Sequence, residues 1–331
     1  MICLKRLYLS RMFKTKITTS DSRIKPIKIQ GMNGRVLTVE AKDKKFNKHN
    51  ILLIYGHHAS LERYLTVAEA LSDFGSVTVV DLPGFGGMDS FRKVGKKPNI
   101  DNFAEYMAGF LSDQNDSEKV TVVGVSYGLA IASRMLQLHP ELVDRVDAVV
   151  SIAGFTHHRD FKLPKSLLWF YWFATGVLRN YPVNLVLRTL ITNDVSISLA
   201  YGRYGSGKSK FAGKSKAERK QTTREEILLW QINDFWTYAW VGFDTVTLNL
   251  LTAEINVPLL HVLVSGDQYF DSNRIKSDMK TLYPRAKFFH AETENHAPTS
   301  FENADEIKQL IPKDLGVELL KLAKSSSQGK K

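Results

Sequence analysis

The sequence predicts an α/β fold: a mostly parallel central sheet flanked by helices and interrupted by a helical insertion. Three observations carry that prediction. Short runs such as Ile51-Leu52-Leu53-Ile54-Tyr55 and Leu259 to Val264 are apolar throughout, the mark of strands covered on both faces. Such runs alternate with stretches of helical spacing over residues 51–152 and again after 254. Between the two, residues 155–253 lose the alternation and turn aromatic-rich.

In chain order, Pro26 to Gln30 and Val36 to Glu40 alternate around Gly31-Met32-Asn33-Gly34 and read as a hairpin. Leu61 to Phe74 is helical and ends at Gly75; Val77 to Asp81 is the next strand, with Leu82-Pro83-Gly84-Phe85-Gly86-Gly87 as its loop. Ile100 to Leu111 is a helix. Val120 to Val123 then leads through Gly124-Val125-Ser126-Tyr127-Gly128 into a helix that Pro140 stops. A strand, a sharp turn and a helix, with glycines on both sides of a serine, hold that hydroxyl clear of its own backbone. The N–H of Tyr127, opening the helix, points where an oxyanion would form. Val146 to Ile152 is a further strand.

Within the insertion, Leu167 to Phe173 is the aromatic run, and Thr223-Arg224-Glu225-Glu226 reads as a capping box at the head of a long helix. Leu228, Ile232, Phe235 and Ala239 give that helix one apolar face. Trp169, Phe170, Trp172 and Phe173 are expected mainly to bury the insertion against the core, with Trp169 and Phe173 candidates for lining an apolar entrance. After the strand at Leu259, a helix over Ser272 to Tyr283, a last strand over Ala286 to Phe289 and a C-terminal helix follow. The expected division is a basic segment at 1–24, a core at 25–154 and 254–322, a helical insertion at 155–253 and a disordered tail at 323–331.

Composition bounds the function. A chain of 331 residues, 44% hydrophobic, can build a sizeable core and is not a disordered protein. The single cysteine, Cys3, excludes an intramolecular disulfide and makes a cytoplasmic setting the default. The net charge of +11 is concentrated, because residues 1–48 contribute +10 and residues 203–224 contribute +7, which leaves the body net acidic. Such segments read as solvated tail and loop; they permit peripheral contact with an anionic membrane and give no ground for specific nucleic-acid binding. Cations break up the apolar residues of Ile2 to Phe13, so no secretory signal is expected there. Gly202 to Ser209 satisfies a phosphate-loop pattern, but the lysine-rich run behind it has no apolar stripe, and it reads as a basic loop.

Over Lys25 to Leu320 the order of parts resembles the α/β-hydrolase superfamily. Tyr55-Gly56-His57-His58 is similar to the family's oxyanion loop, Asp81 to Gly86 to its Asp-x-Pro-Gly-x-Gly loop, and Ser126 sits in a nucleophile elbow; His296 follows the last strand. The resemblance implies Ser126 as nucleophile, His296 as general base and the backbone N–H groups of His57 and Tyr127 as oxyanion hole. It also implies a carboxylate after the Leu259 strand. The family's usual acid position is Tyr269 here, whereas Asp267, directly after Gly266, fits the pattern with a shorter loop. Asp267 is the preferred acid; Asp271 and Asp160 remain open. His296 follows Asn295 where the family has glycine, and it competes with His57, His58, His157, His158 and His290.

The implied activity is hydrolysis of a small hydrophobic carboxylic ester through an acyl-enzyme on Ser126, with a thioester, amide or C–C bond within reach of the same machinery. A reading from another class is a non-catalytic protein of this fold that binds an apolar ligand or a membrane surface. Neither a cofactor nor a metal is implied, since the adjacent His57 and His58 have no carboxylate cluster beside them.

Overall fold

The computed structural model describes residues 21–114, 119–193, 196–197, 215–264, 270–291, 307 and 309–328. Its strands are β1 (Ile24–Ile29), β2 (Met32–Val39), β3 (Asn50–Ile54), β4 (Ser76–Val80), β5 (Val120–Val125), β6 (Val146–Ile152), β7 (Leu259–Val264) and β8 (Ala286–Ala291). They form one sheet in the order β1-β2-β4-β3-β5-β6-β7-β8. The pairs β1–β2 and β2–β4 are antiparallel, and the rest of the sheet is parallel. Every residue of β5 and β7 is buried, as their unbroken apolar runs require. Around the sheet pack α1 (Leu61–Leu71), α2 (Ile100–Ser112), α3 (Tyr127–Leu138), α8 (Ser272–Leu282) and α9 (Lys313–Gln328).

Three local expectations are corrected. The opening hairpin turns at Gln30-Gly31, with φ 48° and 81°, two residues earlier than the glycine pattern implied. A two-residue turn with both φ positive matches the twist of the strands. Gly34 serves packing instead, because a Cβ there would meet the Met88 sulfur at 2.9 Å. At the other end the polar tail is helical through Gln328: Ala323 packs with Ala41 and Phe46, and the Ser327 hydroxyl donates to the Lys45 carbonyl at 2.6 Å. The third correction concerns the insertion.

The insertion comprises α4 (Lys165–Leu178), α5 (Tyr181–Ile191), α6 (Lys216–Ile232) and α7 (Phe235–Thr247). The expected single long helix is two, broken at Asn233-Asp234, and Thr223 to Glu226 lies within α6 rather than at its head. Asp234 caps α7 in their place, accepting from the Thr237 N–H at 3.3 Å and its hydroxyl at 3.0 Å. The aromatic run also departs from expectation, for α4 has no buried residue and Trp169, Phe170, Trp172 and Phe173 are exposed. Residues 1–20 of the basic N-terminal segment and the Gly202 to Ser209 stretch lie outside the described residues, while Arg23, within that segment, pairs with Asp21 and Glu69 at 2.8 and 2.9 Å, and Ile24 already opens β1. No helix among the described residues is long and apolar enough to cross a membrane.

One buried ion pair ties the hairpin to the loop after β4. Arg35 Nη2 lies 2.7 Å from Asp81 Oδ2, and the same guanidinium donates to Glu62 at 2.5 Å and to the Gly86 carbonyl at 2.6 Å. The Tyr55 hydroxyl donates to Asp81 Oδ1 at 2.9 Å and accepts from the Leu82 N–H at 2.7 Å. Burial pushes Asp81 up to about 7 against the pull of Arg35. Removing the cation strands a carboxyl in the core, so Arg35→Met is expected to cost about 3–5 kcal/mol in urea unfolding. The loss should shrink at acid pH, where the stranded carboxyl takes up a proton.

Candidate active site

Ser126 stands between β5 and α3 with φ 52° and ψ −119°, a backbone conformation that costs a side-chain-bearing residue about 1–3 kcal/mol. Its N–H donates to the Ile152 carbonyl at 2.9 Å, and its own carbonyl accepts from Leu129 at 3.1 Å, so both sides of the turn are anchored. The flanking glycines are demanded by close approach. A Cβ on Gly128 would lie 2.1 Å from the Ile54 carbonyl oxygen, and one on Gly124 would lie 2.6 Å from the Leu129 Cα.

The loop after β3 packs directly on this turn. A Cβ on Gly56 would meet the Val125 oxygen at 2.9 Å, Ser126 Cβ at 3.0 Å and the Tyr127 nitrogen at 3.4 Å. The backbone that leads into His57 therefore lies against the peptide joining Ser126 to Tyr127. The His57 side chain keeps exposed surface although protein surrounds it, its ring edge-on to Tyr238 at 4.5 Å and near Phe85 at 6.0 Å. The protein around it and the neighbouring His58 lower its pKa.

The insertion holds both site loops, a role the sequence did not reveal. Asn233, at the break between α6 and α7, accepts from the Gly86 N–H at 2.8 Å and donates to the Ala59 carbonyl at 3.4 Å and the Tyr238 hydroxyl at 2.9 Å. Tyr238 in turn donates to His58 Nδ1, and His58 Nε2 donates to Glu226 at 2.8 Å, a tautomer fixed by the order of the chain of bonds. Glu226 is buried and also meets Arg63 at 3.2 Å. The Asp234 N–H donates to the Gly84 carbonyl at 2.7 Å. The signal available in the sequence was a polar pair, Asn233-Asp234, interrupting an apolar stripe.

Of the remaining site candidates, His296 and Asp267 lie outside the described residues. The strands preceding them, β8 and β7, are parallel to β5 and end at the same sheet edge as Ser126. Asp271 caps α8, accepting from Asn273 at 3.0 Å and Arg274 at 3.2 Å. Asp160 is buried; its Oδ2 accepts from the Thr156 and His157 N–H groups at 2.9 and 3.0 Å. Burial, with Asp278 alongside, raises it to about 6 against those two donors. Competing histidines are committed elsewhere: Arg159 N–H donates to His157, His158 bonds the Leu248 carbonyl at 3.0 Å, and His290 lies on the exposed side of β8. No cluster of metal-ligating side chains occurs among the described residues.

The side chain of Tyr127 points away from the turn and donates to Asp244 Oδ2 in α7 at 3.0 Å. Burial raises Asp244 from 3.8 to about 7, against that bond. Because the folded-state value lies above the unfolded one, the stability this carboxyl contributes is complete below about 4 and is lost as pH rises toward 7. Asp244→Asn removes that slope while keeping an acceptor for Tyr127. The variant should melt above wild type at alkaline pH, by up to about 4 kcal/mol, and converge with it in acid. Thermal unfolding across pH measures this, and a pH-independent difference would contradict it.

Comparison with known proteins places this geometry. Among curated proteins, a poly(3-hydroxyalkanoate) depolymerase from Ectopseudomonas oleovorans is 30% identical over 104 residues, 31% of this chain and 35% of its own. The chain thus spans about a third of that relative's length. Among solved structures, an esterase from Exiguobacterium antarcticum superposes with a TM-score of 0.62 at 13% identity, covering 86% of this chain and 97% of its own. A thermophilic esterase from Thermogutta terrifontis gives 0.60 at 12% identity, covering 90% and 99%. At such identities the likeness is one of fold. The alpha/beta hydrolase fold family matches residues 50–302, well over half the sequence, and the chain belongs to that family.

Proposed function

We propose that the protein is a serine hydrolase acting on a hydrophobic carboxylic ester, with Ser126 as nucleophile, His296 as general base and Asp267 as the acid behind it. The observation that carries this reading is the strained Ser126 turn with the Gly56 backbone packed against it. A serine has no structural reason to occupy that conformation, and a hydroxyl held at the edge of a parallel sheet beside two main-chain N–H groups has a chemical one. The local commitments of Asp271 and Asp160 favour Asp267 as the acid. The poly(3-hydroxyalkanoate) named for the depolymerase relative is itself a polyester, which supports an ester substrate.

In this mechanism Ser126 Oγ attacks the carbonyl carbon as His296 takes its proton, and the N–H groups of His57 and Tyr127 hold the resulting oxyanion. Collapse breaks the ester C–O bond, and the alcohol leaves with the proton from His296. Water, deprotonated by the same imidazole, then attacks the acyl carbon, and Ser126 departs with its hydrogen restored.

A fluorophosphonate probe should label the wild-type chain and not Ser126→Ala; a folded wild type that resists labelling would sink the assignment. Hydrolysis of p-nitrophenyl esters of rising chain length should favour the longer, apolar acyl groups. Gly56→Ala, which forces a Cβ toward the Ser126 turn, should lower kcat about 10²-fold, comparable to loss of one oxyanion donor.

A further inference from the structure

We propose that the α4–α5 hairpin docks on the surface of an anionic lipid bilayer. Leu167 to Phe173 are seven consecutive apolar residues, so α4 is apolar on every side over nearly two turns. Such a helix belongs inside a core or in lipid, yet α4 has no buried residue. Trp169 is 63% exposed and Phe170 56%, and α5 adds Val186 at 62% and Leu190 at 61%. Among the described residues the hairpin packs chiefly on α7, where Trp172 approaches Phe243 at 6.5 Å and Arg179 packs over the Phe243 and Trp240 rings, while Phe170, Val186 and Leu190 stay exposed.

Length and charge select the occupant. At 14 residues α4 is about 21 Å long, too short for a hydrocarbon core of about 30 Å, so it would lie in the interface with its Trp and Tyr rings at headgroup depth. Residues 161–193 contain Lys162, Lys165, Arg179 and Arg188 and not one Asp or Glu. Two copies meeting through this face would oppose cation to cation, whereas anionic headgroups complement it. Docking of this kind does not depend on the chemistry at Ser126.

The test is flotation of the full chain with phosphatidylcholine vesicles, with and without phosphatidylglycerol. Wild type should float with the anionic vesicles, roughly tenfold more weakly with neutral ones, and less as salt rises. Phe170→Glu/Val186→Glu/Leu190→Glu, three exposed positions, should lose roughly tenfold or more of that binding with an unchanged melting temperature. Should that variant unfold, Lys162→Glu/Lys165→Glu gives an independent reading, because it must weaken the preference for phosphatidylglycerol severalfold. Wild type that stays unbound to both vesicles, or variants that float as it does, overturns the proposal. So does a lipid-free dimer that the triple variant splits, since the face would then be a contact between copies. A chain that floats yet takes no fluorophosphonate keeps this docking and loses only the hydrolytic reading.

Discussion

The close approach of backbone to backbone around Ser126 is the constraint on which the rest of the structure depends. Two segments distant in sequence meet there with no room for a side chain: the end of β3 with its loop, and the continuous run from the turn after β5 into the start of α3. The strain at Ser126 is small beside the interactions holding the turn's two ends, a wholly buried β5 paired on both sides and a helix buried over most of its length. Relaxing the turn would mean withdrawing α3 from Ile54 and giving up core packing. The strained conformation is therefore imposed by the sheet rather than chosen locally, which is how a fold keeps one hydroxyl in one place.

A second layer of control comes from the insertion, which is built into the site instead of resting over it. Two loops, after β3 and after β4, are bonded to the α6–α7 junction through Asn233, Tyr238, Glu226 and Asp234. Asn233 alone meets three groups from three segments. The Tyr127 to Asp244 bond extends the same coupling to the residue after Ser126. Any movement of α6 and α7 must break these buried polar bonds, so the geometry of the loop after β3 and the position of the insertion are one variable, not two.

What the sequence made legible follows from where burial dominates. The parallel strands and the Ser126 turn could be read because a strand covered on both faces leaves an unbroken apolar run, and a tight turn leaves glycines at fixed places. The opening hairpin was misplaced because Gly34 looks like a turn residue and is in fact making room for Met88. The α6–α7 break was missed because an apolar stripe at helical spacing runs through Asn233, and only the polar groups of another loop explain why the chain bends there. The C-terminal tail reads as polar although Ala323, beside Ala41 and Phe46, and the Ser327 hydroxyl pin it. Partners such as Asp244 for Tyr127 are separated by more than a hundred residues and leave no local trace.

The aromatic run in α4 shows where composition stops informing. Hydropathy says that Leu167 to Phe173 must leave water, and it is silent on what they leave it for. The structure bonds the site loops to polar groups of α6 and α7, buries Phe235, Tyr238 and Val241 of α7 in the core, and leaves the apolar residues of α4 and α5 exposed. An exposed apolar face of that kind departs from the ordinary arrangement, in which such a face turns inward. An insertion built this way is complete only when a second apolar phase meets it. The absence of acidic residues over the same stretch says which charge that phase carries.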